Sequence, residues 1–591
     1  MTANKGPTTN YQLPITNYQN GRFILMRLSW IDKLGDKNPQ LLREIKGRFK
    51  PRNLVISTVI SLLGQFFLFR IFQAKLPSAS QGWSMPTRHP LCTGDQWEYS
   101  IPECLTDAAG NLLINWQMWW WDVFYTVSKF GVFALILAGT YTLISDLANE
   151  ERRDTLNFIR LSPQSAKSIL IGKLLGVPSL LYIVVALAVP LHLIAGIGAH
   201  VPLSLIFSFY GLVVASCIFF FSAALLFGLV SAWLGGFQAW LGSGAAFVCL
   251  FIATAKPVLH TPSDWLNLFS PFLIFEQIAK ATELENYSLS LLSTADLELF
   301  YLPIGDALWA TLGLAVLNFG VGTYWIWQAL QRRFHNPSKT IFSKSQSYLM
   351  VASLEAILVA FAATTPKYRY STNLGHNFQE LLVYNLVLFI CLIVTLTPQR
   401  QTLQDWARYR RERVSNRQKF LSSLLVKDLT WGEKSPAIVA IALNLAIAAT
   451  TLTLWITFVL QPIDKQPAFL SMVIGGNLLL LCAAIAQLLT FMRAQKQGLW
   501  IAGALGAVIL LPTAILTVLS ISPYQIPGLW LFTPFAWFAL EKASNTTIFL
   551  ALLGQWSAVT LCTIRMTRQI QRAGESSTKA LMSDRPSLPV G

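Results

Sequence analysis

Apolar stretches of about 20 residues recur from one end of the chain to the other, and one such stretch is what a single crossing of a hydrocarbon layer roughly 30 Å thick requires. Lipid is therefore the natural solvent. Of 591 residues, 53% are hydrophobic and only 13% charged, far more apolar than a water-soluble core of this length needs. The pattern predicts an all-α, polytopic integral membrane protein with about 12 transmembrane helices. Six are expected near Leu54 to Phe72, Phe124 to Leu143, Ile169 to Ile194, Leu205 to Val230, Leu241 to Ala255 and Ala307 to Trp327. Six more are expected near Leu349 to Thr364, Leu381 to Leu396, Ala437 to Val459, Leu470 to Leu489, Trp500 to Leu519 and Ile548 to Ile564. The expected organisation is a low-complexity tail at 1–37 that runs into an interfacial segment, a six-span domain at 38–330, a second six-span domain at 331–565 and a tail at 566–591.

The formal charge of +16 would suggest nucleic acid in a soluble protein. Here the basic residues fall between alternate spans, roughly 34 Lys and Arg on one inferred side against about 8 on the other, which is the positive-inside pattern. That pattern accounts for the charge without nucleic acid. It places both termini in the cytoplasm and the chain in the plasma (inner) membrane, with no cleavable leader at the polar, basic N-terminus. Just before the first span, Leu41, Leu42, Ile45 and Phe49 share one helical face, with Arg43, Lys46, Arg48 and Lys50 around it, a composition suited to lying in the inner interface. The basic inside segment at 398–436, with Arg408, Arg410, Arg411, Arg413, Arg417 and Lys419, is read as topological retention, with binding to anionic membrane lipids as the alternative.

Two outside segments are long, 73–117 and 256–306. The first holds Cys92 and Cys104, which an oxidising compartment would join in a disulfide or leave as two thiols. At its end Trp116, Trp119, Trp120, Trp121 and Tyr125 are expected to anchor in the headgroup zone.

The inside segment at 146–168 is the most informative. It runs through Glu150-Glu151-Arg152-Arg153-Asp154-Thr155-Leu156-Asn157-Phe158-Ile159 to Ser162-Pro163, and Gly172-Lys173-Leu174 follows. Ser162-Pro163 reads as a helix start, a capping hydroxyl before a residue suited to the first turn. Lys173 is expected to snorkel at the membrane edge. Acidic residues, Thr-Leu, Ser-Pro and Gly-Lys-Leu in this order, after Asn38-Pro39 and Arg43-Glu44 ahead of the first span, resemble the membrane subunits of ABC transporters of the type-2 export class, over about residues 38–330. The resemblance departs at Asp154, where the family often has Gly, and at Asn157, where it often has Glu.

That resemblance implies that the loop helix couples the spans to a separate ABC ATP-binding subunit, which would bind ATP and Mg; no cofactor is expected in this chain. The coupling residues would be Glu150, Glu151, Arg152 and Arg153 on the outside, with Thr155 beside Leu156, Phe158 and Ile159 offered to a pocket. Reversing the charges of Glu150 and Glu151 is then expected to weaken partner binding while leaving insertion intact. Arg43, Glu44 and Arg48 would belong to an interfacial docking helix. The chain has no Gly-x-x-x-x-Gly-Lys-Ser/Thr loop to hold nucleotide phosphates and no catalytic motif, so it is expected to be a transport subunit and not an enzyme.

Ionisable residues deep in the spans are scarce, and Glu355 is the clearest; it reads as a substrate or proton site, or as a carboxyl that packs helices. An ion-coupled secondary carrier built on Glu355 is the alternative function, and a non-transporting assembly factor is a third. A sequence echo links Leu41-Leu42-Arg43-Glu44-Ile45 to Leu425-Val426-Lys427-Asp428-Leu429, and Leu268-Phe269-Ser270-Pro271-Phe272 to Leu531-Phe532-Thr533-Pro534-Phe535. Diverged duplication and chance similarity both remain open, as does the choice between a homodimer of whole chains and an internal pseudo-dimer of two halves.

Overall fold

The computed structural model describes residues 35–77, 88–94, 101–108, 110–284, 297–363, 374–414, 423–492 and 497–574. The N-terminal repeat, Arg417 and Lys419 of the basic stretch, and the chain after 574 lie outside the described residues. The described chain is mainly helical; its extended pairings are a two-stranded antiparallel hairpin, Glu298–Leu299 with Leu302–Pro303, and isolated bridges Arg88 to Glu103, Cys92 to Ile114 and Thr106 to Leu112.

The helices of the first part are α1 (Pro39–Arg48), α2 (Pro51–Ala74), α3 (Trp116–Arg152), α4 (Thr155–Arg160), α5 (Ala166–Gly176), α6 (Ser179–Gly198), α7 (Leu203–Val230), α8 (Gln238–Ala255), α9 (Phe275–Ala281) and α10 (Leu308–His335). Those of the second part are α11 (Lys344–Ala362), α12 (Leu374–Leu396), α13 (Arg400–Val414), α14 (Ser423–Trp431), α15 (Ile438–Phe458), α16 (Pro462–Thr490), α17 (Gln497–Val518), α18 (Pro527–Trp530), α19 (Trp537–Leu540) and α20 (Asn545–Ala573). Local chemistry sets several starts. The Asn38 side chain accepts from the Leu41 amide with Pro39 in the first turn, Asn115 accepts from Met118 at the head of α3, and Ser343 with Gln346 closes a capping box on α11, each satisfying amides that a helix start leaves without partners.

Among the described residues eleven helices are long and apolar enough to cross a membrane: α2, α3, α6, α7, α8 with the 3-10 turn Ala232–Phe237 ahead of it, α11, α12, α15, α16, α17 and α20. The twelfth expected crossing falls on α10, which is 28 residues long but diluted by Asn318, Gly320, Gly322, Thr323 and Tyr324. The outward surface fits lipid. On α2 alone Val55, Ile60, Phe66, Phe67 and Ile71 are all exposed, a contiguous apolar face that water-soluble monomers rarely display. The chain is thus an all-α, polytopic integral membrane protein.

Three expectations need correction. The third span is not continuous from Ile169: Pro178, which has no amide to donate, separates α5 from α6. Ser162 and Pro163 lie in the turn before α5, and the side chain that caps α5 is Ser165, accepting from the Ser168 amide. The tryptophans after the segment 73–117 do not all anchor outward: Trp119 and Trp121 are buried inside the protein, while Trp116 stays 52% exposed. The Trp119 indole donates to the Phe72 carbonyl at 3.0 Å, and Trp121 packs on Phe275. The segment behind this packing, 262–281, is itself no surface loop: Leu268, Phe272, Leu273, Ile274, Phe275 and Ile278 all enter the main core.

The two parts share an element order. Each has six long helices, short helices between the second and third, and a buried turn between the fifth and sixth. In the first part α2 packs on α6, α3 on α6 and α7, and α7 on α10 and on the turn Pro271–Ile274; in the second α11 packs on α15, α12 on α15 and α16, and α16 on α20 and on α19. The correspondence is incomplete: α3 packs closely on α8, whereas α12 makes no comparable contact with α17. The echoed turns match locally: Ser270 Oγ accepts from the Phe272 amide and Thr533 Oγ1 from the Phe535 amide, both at 3.2 Å.

Close approach between α3 and α7 depends on Gly139, where an added Cβ would sit 2.3 Å from the ring of buried Phe221. Gly139→Val is expected to destabilise the fold by about 1–3 kcal/mol through overpacking, read as a lowered midpoint in detergent thermal unfolding; an unchanged midpoint would show that the helices are not packed this way.

Candidate functional site

Where α3 ends, its residues Asp146 and Glu150 are four apart and so share a face. On α1, Gln40, Glu44 and Arg48 repeat the same spacing. Between these faces runs α5, carrying Lys173 flanked by Gly172 and Gly176. The glycines let α1 approach: a Cβ on Gly172 would lie 2.9 Å from the Leu41 amide nitrogen, and one on Gly176 2.5 Å from the Glu44 Cβ. Asn38, besides capping α1, donates to the Ser168 carbonyl at 2.8 Å.

Lys173 is 0% exposed and does not snorkel. Its ammonium lies 2.7 Å from Glu150 Oε2, 2.8 Å from Asp146 Oδ2 and 3.5 Å from Glu44 Oε1. Two arginines of α1 close the ring, Arg43 to Glu150 at 2.6 Å and Arg48 to Asp146 at 2.7 Å, so three carboxylates meet three cations. Burial alone would lower the Lys173 pKa, but Asp146, Glu150 and Glu44 outweigh it and hold the ammonium above its ordinary 10.5. Glu44 is raised above 4.5, chiefly by its own burial, with Lys173 opposing. The three carboxylates lie close enough to hold a cation, within 4.8 Å of one another, and the lysine ammonium is that cation.

This cluster carries the loop helix. After α3, Asp154 adopts a left-handed backbone with φ of 55°, a conformation that Gly takes freely and Asp tolerates better than most residues. The chain therefore turns at Asp154. Thr155 Oγ1 donates to the Glu150 carbonyl at 3.1 Å, setting α4 against the end of α3. The faces of α4 differ from expectation. Leu156 and Ile159 belong to the protein's own core, while Phe158 is 79% and Leu161 86% exposed. Glu150 is buried in the ion cluster rather than outside, so its charge reversal strikes packing and not a rim. Glu151 is half-buried, and Arg152, Arg153 and Thr155 are exposed.

The other candidates lie elsewhere. Cys92 and Cys104 are disulfide-bonded. Glu355, on α11, is fully buried; Asn385 Nδ2 donates to its Oε2 at 3.4 Å, and Oε1 has no partner among the described residues. In the basic stretch Arg410 pairs with Asp428 at 3.5 Å, and Arg332 of α10 pairs with Glu433 at 2.9 Å. Sequence reasoning passed over Lys344, whose buried ammonium donates to the Leu429 carbonyl, Ser435 Oγ and the Pro436 carbonyl. It also passed over Asp146 as a partner for Lys173, although the four-residue spacings on α1, α3 and α5 were present to be read. No family model, curated protein or solved structure matches the chain.

Lys173→Met leaves buried Glu44 and Glu150 and the partly exposed Asp146 without their central cation, and removing one partner of a buried ion pair costs about 3–5 kcal/mol. The variant is expected to unfold correspondingly earlier and to expose α1 to limited proteolysis. Because the folded pKa of Lys173 is raised, its contribution is complete below pH 10.5 and is lost as pH climbs through the folded value; titration of α1 release should show no midpoint near neutrality assignable to Lys173. At the turn, Asp154→Gly is expected to stabilise by up to about 1 kcal/mol and Asp154→Val to destabilise by about 1–2 kcal/mol, compared by denaturation in one detergent.

Proposed function

We propose that this chain is the membrane-spanning permease of an ABC exporter of the type-2 class, moving its substrate with ATP and Mg bound by a separate subunit. The observation that carries the reading is the pair Phe158 and Leu161, both exposed beyond three quarters, on a short helix and its C-cap, the helix's other face and base being held in the core and in the ion cluster. Two large apolar side chains on a rigid charged support suit an interface with an apolar centre and a polar rim. Arg152, Arg153 and Thr155 supply the rim; Leu156 and Ile159 fix the helix from behind.

The matched element order supports an internal pseudo-dimer of two six-helix halves, with α10 as the sixth crossing of the first; the basic residues gathered between alternate spans support cytoplasmic termini in the plasma membrane. The segment of α13 and α14 then stands between the second and third crossings of its half, as α4 and α5 do in theirs. One polypeptide would thereby offer a docking place on each half.

A secondary carrier remains the second reading, favoured by Glu355, a fully buried carboxyl with one oxygen lacking a partner among the described residues. The deciding experiment is purification from native membranes followed by reconstitution. Co-purification of a Walker-motif ATPase is expected. Phe158→Ala with Leu161→Ala should weaken its binding about tenfold or more, the loss typical of truncated apolar anchors, while α1 remains docked. Transport that persists without ATP and collapses with the proton or sodium gradient, and in Glu355→Gln, would replace this reading with the carrier.

A further inference from the structure

The equivalent spaces of the two halves are built differently. In the first, the room between α3, α6, α7 and the Ser270-Pro271 turn is filled by rings. Phe275 packs on Phe124 with centroids 5.8 Å apart and on Phe209 at 5.3 Å, and Phe272 stands 6.1 Å from Phe209. Phe272 and Phe275 are buried at 1% and 0%.

In the second half the echoed turn carries Phe535 and Phe538 in the corresponding register, yet these are 37% and 42% exposed. With the rings turned away, a cavity of about 320 Å³ is left between α12, α15, α16 and the Thr533-Pro534 turn. That volume lies at the lower end of the roughly 300–1,000 Å³ typical of small-molecule sites. Its walls are aliphatic or small, among them Ala446, Ala449, Gly475 and Gly476, with Trp537 from the turn.

None of the lining residues is charged. Two polar groups on the wall nevertheless lack partners among the described residues: Ser471 Oγ, on a residue 2% exposed, and the amide nitrogen of Asn477. A buried hydroxyl and a buried amide donor left unsatisfied cost about 1–3 kcal/mol each, so something that hydrogen-bonds belongs beside them. A third wall residue, Asn385, is held by the Leu381 carbonyl and Glu355. An apolar chamber opening among lipid-facing helices, with a hydroxyl and an amide donor and no fixed charge, fits one kind of molecule.

We infer that this cavity is a binding site for an uncharged membrane amphiphile, a long-chain alcohol in chemical class, with its tail against the alanines and glycines and its hydroxyl at Ser471 Oγ. The site needs no ATPase and can be tested apart from the proposed transport function.

The full chain in phosphatidylcholine vesicles would be irradiated with hexadecanol bearing a diazirine in its tail, and the labelled peptides mapped. Labelling is expected to concentrate on 442–452 and 471–479 and to fall with excess unlabelled hexadecanol. Ser471→Ala should weaken it about fivefold, the loss of one hydrogen bond. Gly475→Leu should abolish it by filling the chamber, since a Cβ there meets nothing within 4 Å; Ala449→Phe fills the same space from α15 if the first variant does not fold. Labelling spread evenly over lipid-facing helices, undiminished in a folded filled variant, or equal with a diazirine hydrocarbon lacking the hydroxyl overturns the proposal.

Discussion

A lysine ammonium removed from water must be surrounded by compensating charge, since an unpaired buried charge costs several kcal/mol. In this protein that requirement organises the end of the bundle where α1, α3 and α5 meet. Lys173 cannot be satisfied by one helix. Asp146 and Glu150 reach it from α3 and Glu44 from α1, while Arg43 and Arg48 balance what remains. The short surface helix is thereby fixed to the long membrane helix, and α4, which follows directly, inherits a defined position. The flanking glycines are part of the same requirement, because a side chain on either would hold α1 too far away for its glutamate to reach.

The crossings were legible in the sequence because lipid imposes length and apolarity on every one of them, and most expected spans overlap observed helices. What was not legible depends on partners distant in the chain. Lys173 read as a snorkelling residue since nothing near it in sequence reveals that α1 folds over it. Leu156 and Ile159 were rightly placed on one face, but which face meets the protein and which meets solvent is decided by how α4 packs on the end of α3. The tryptophans at the head of α3 carry the composition of a headgroup belt, and the buried turn packing against Trp121 draws that ring inward.

The echo between Leu268-Phe269-Ser270-Pro271-Phe272 and Leu531-Phe532-Thr533-Pro534-Phe535 was visible as letters, and the hydroxyl-to-amide turn it encodes forms in both places. Its surroundings are not encoded there. Leu273 and Ile274 become Ala536 and Trp537, and the rings that fill one half stand outside the other. Similar local sequence thus produces the same turn with opposite packing, since burial is settled by the facing helices, bulky on α3 and α7 and small on α15 and α16.

The length of α3 gives it a mechanical role. At 37 residues and a rise of about 1.5 Å per residue it measures roughly 55 Å, well beyond a hydrocarbon layer. Its head is clamped by buried indoles beside the disulfide segment, its tail by the lysine-centred ion cluster. Pro178 interrupts the neighbouring path through α5 and α6, whereas α3 runs unbroken. Any tilt imposed at one mouth of the bundle is accordingly delivered as displacement at the other, making this single rod a continuous mechanical link between the two faces of the membrane.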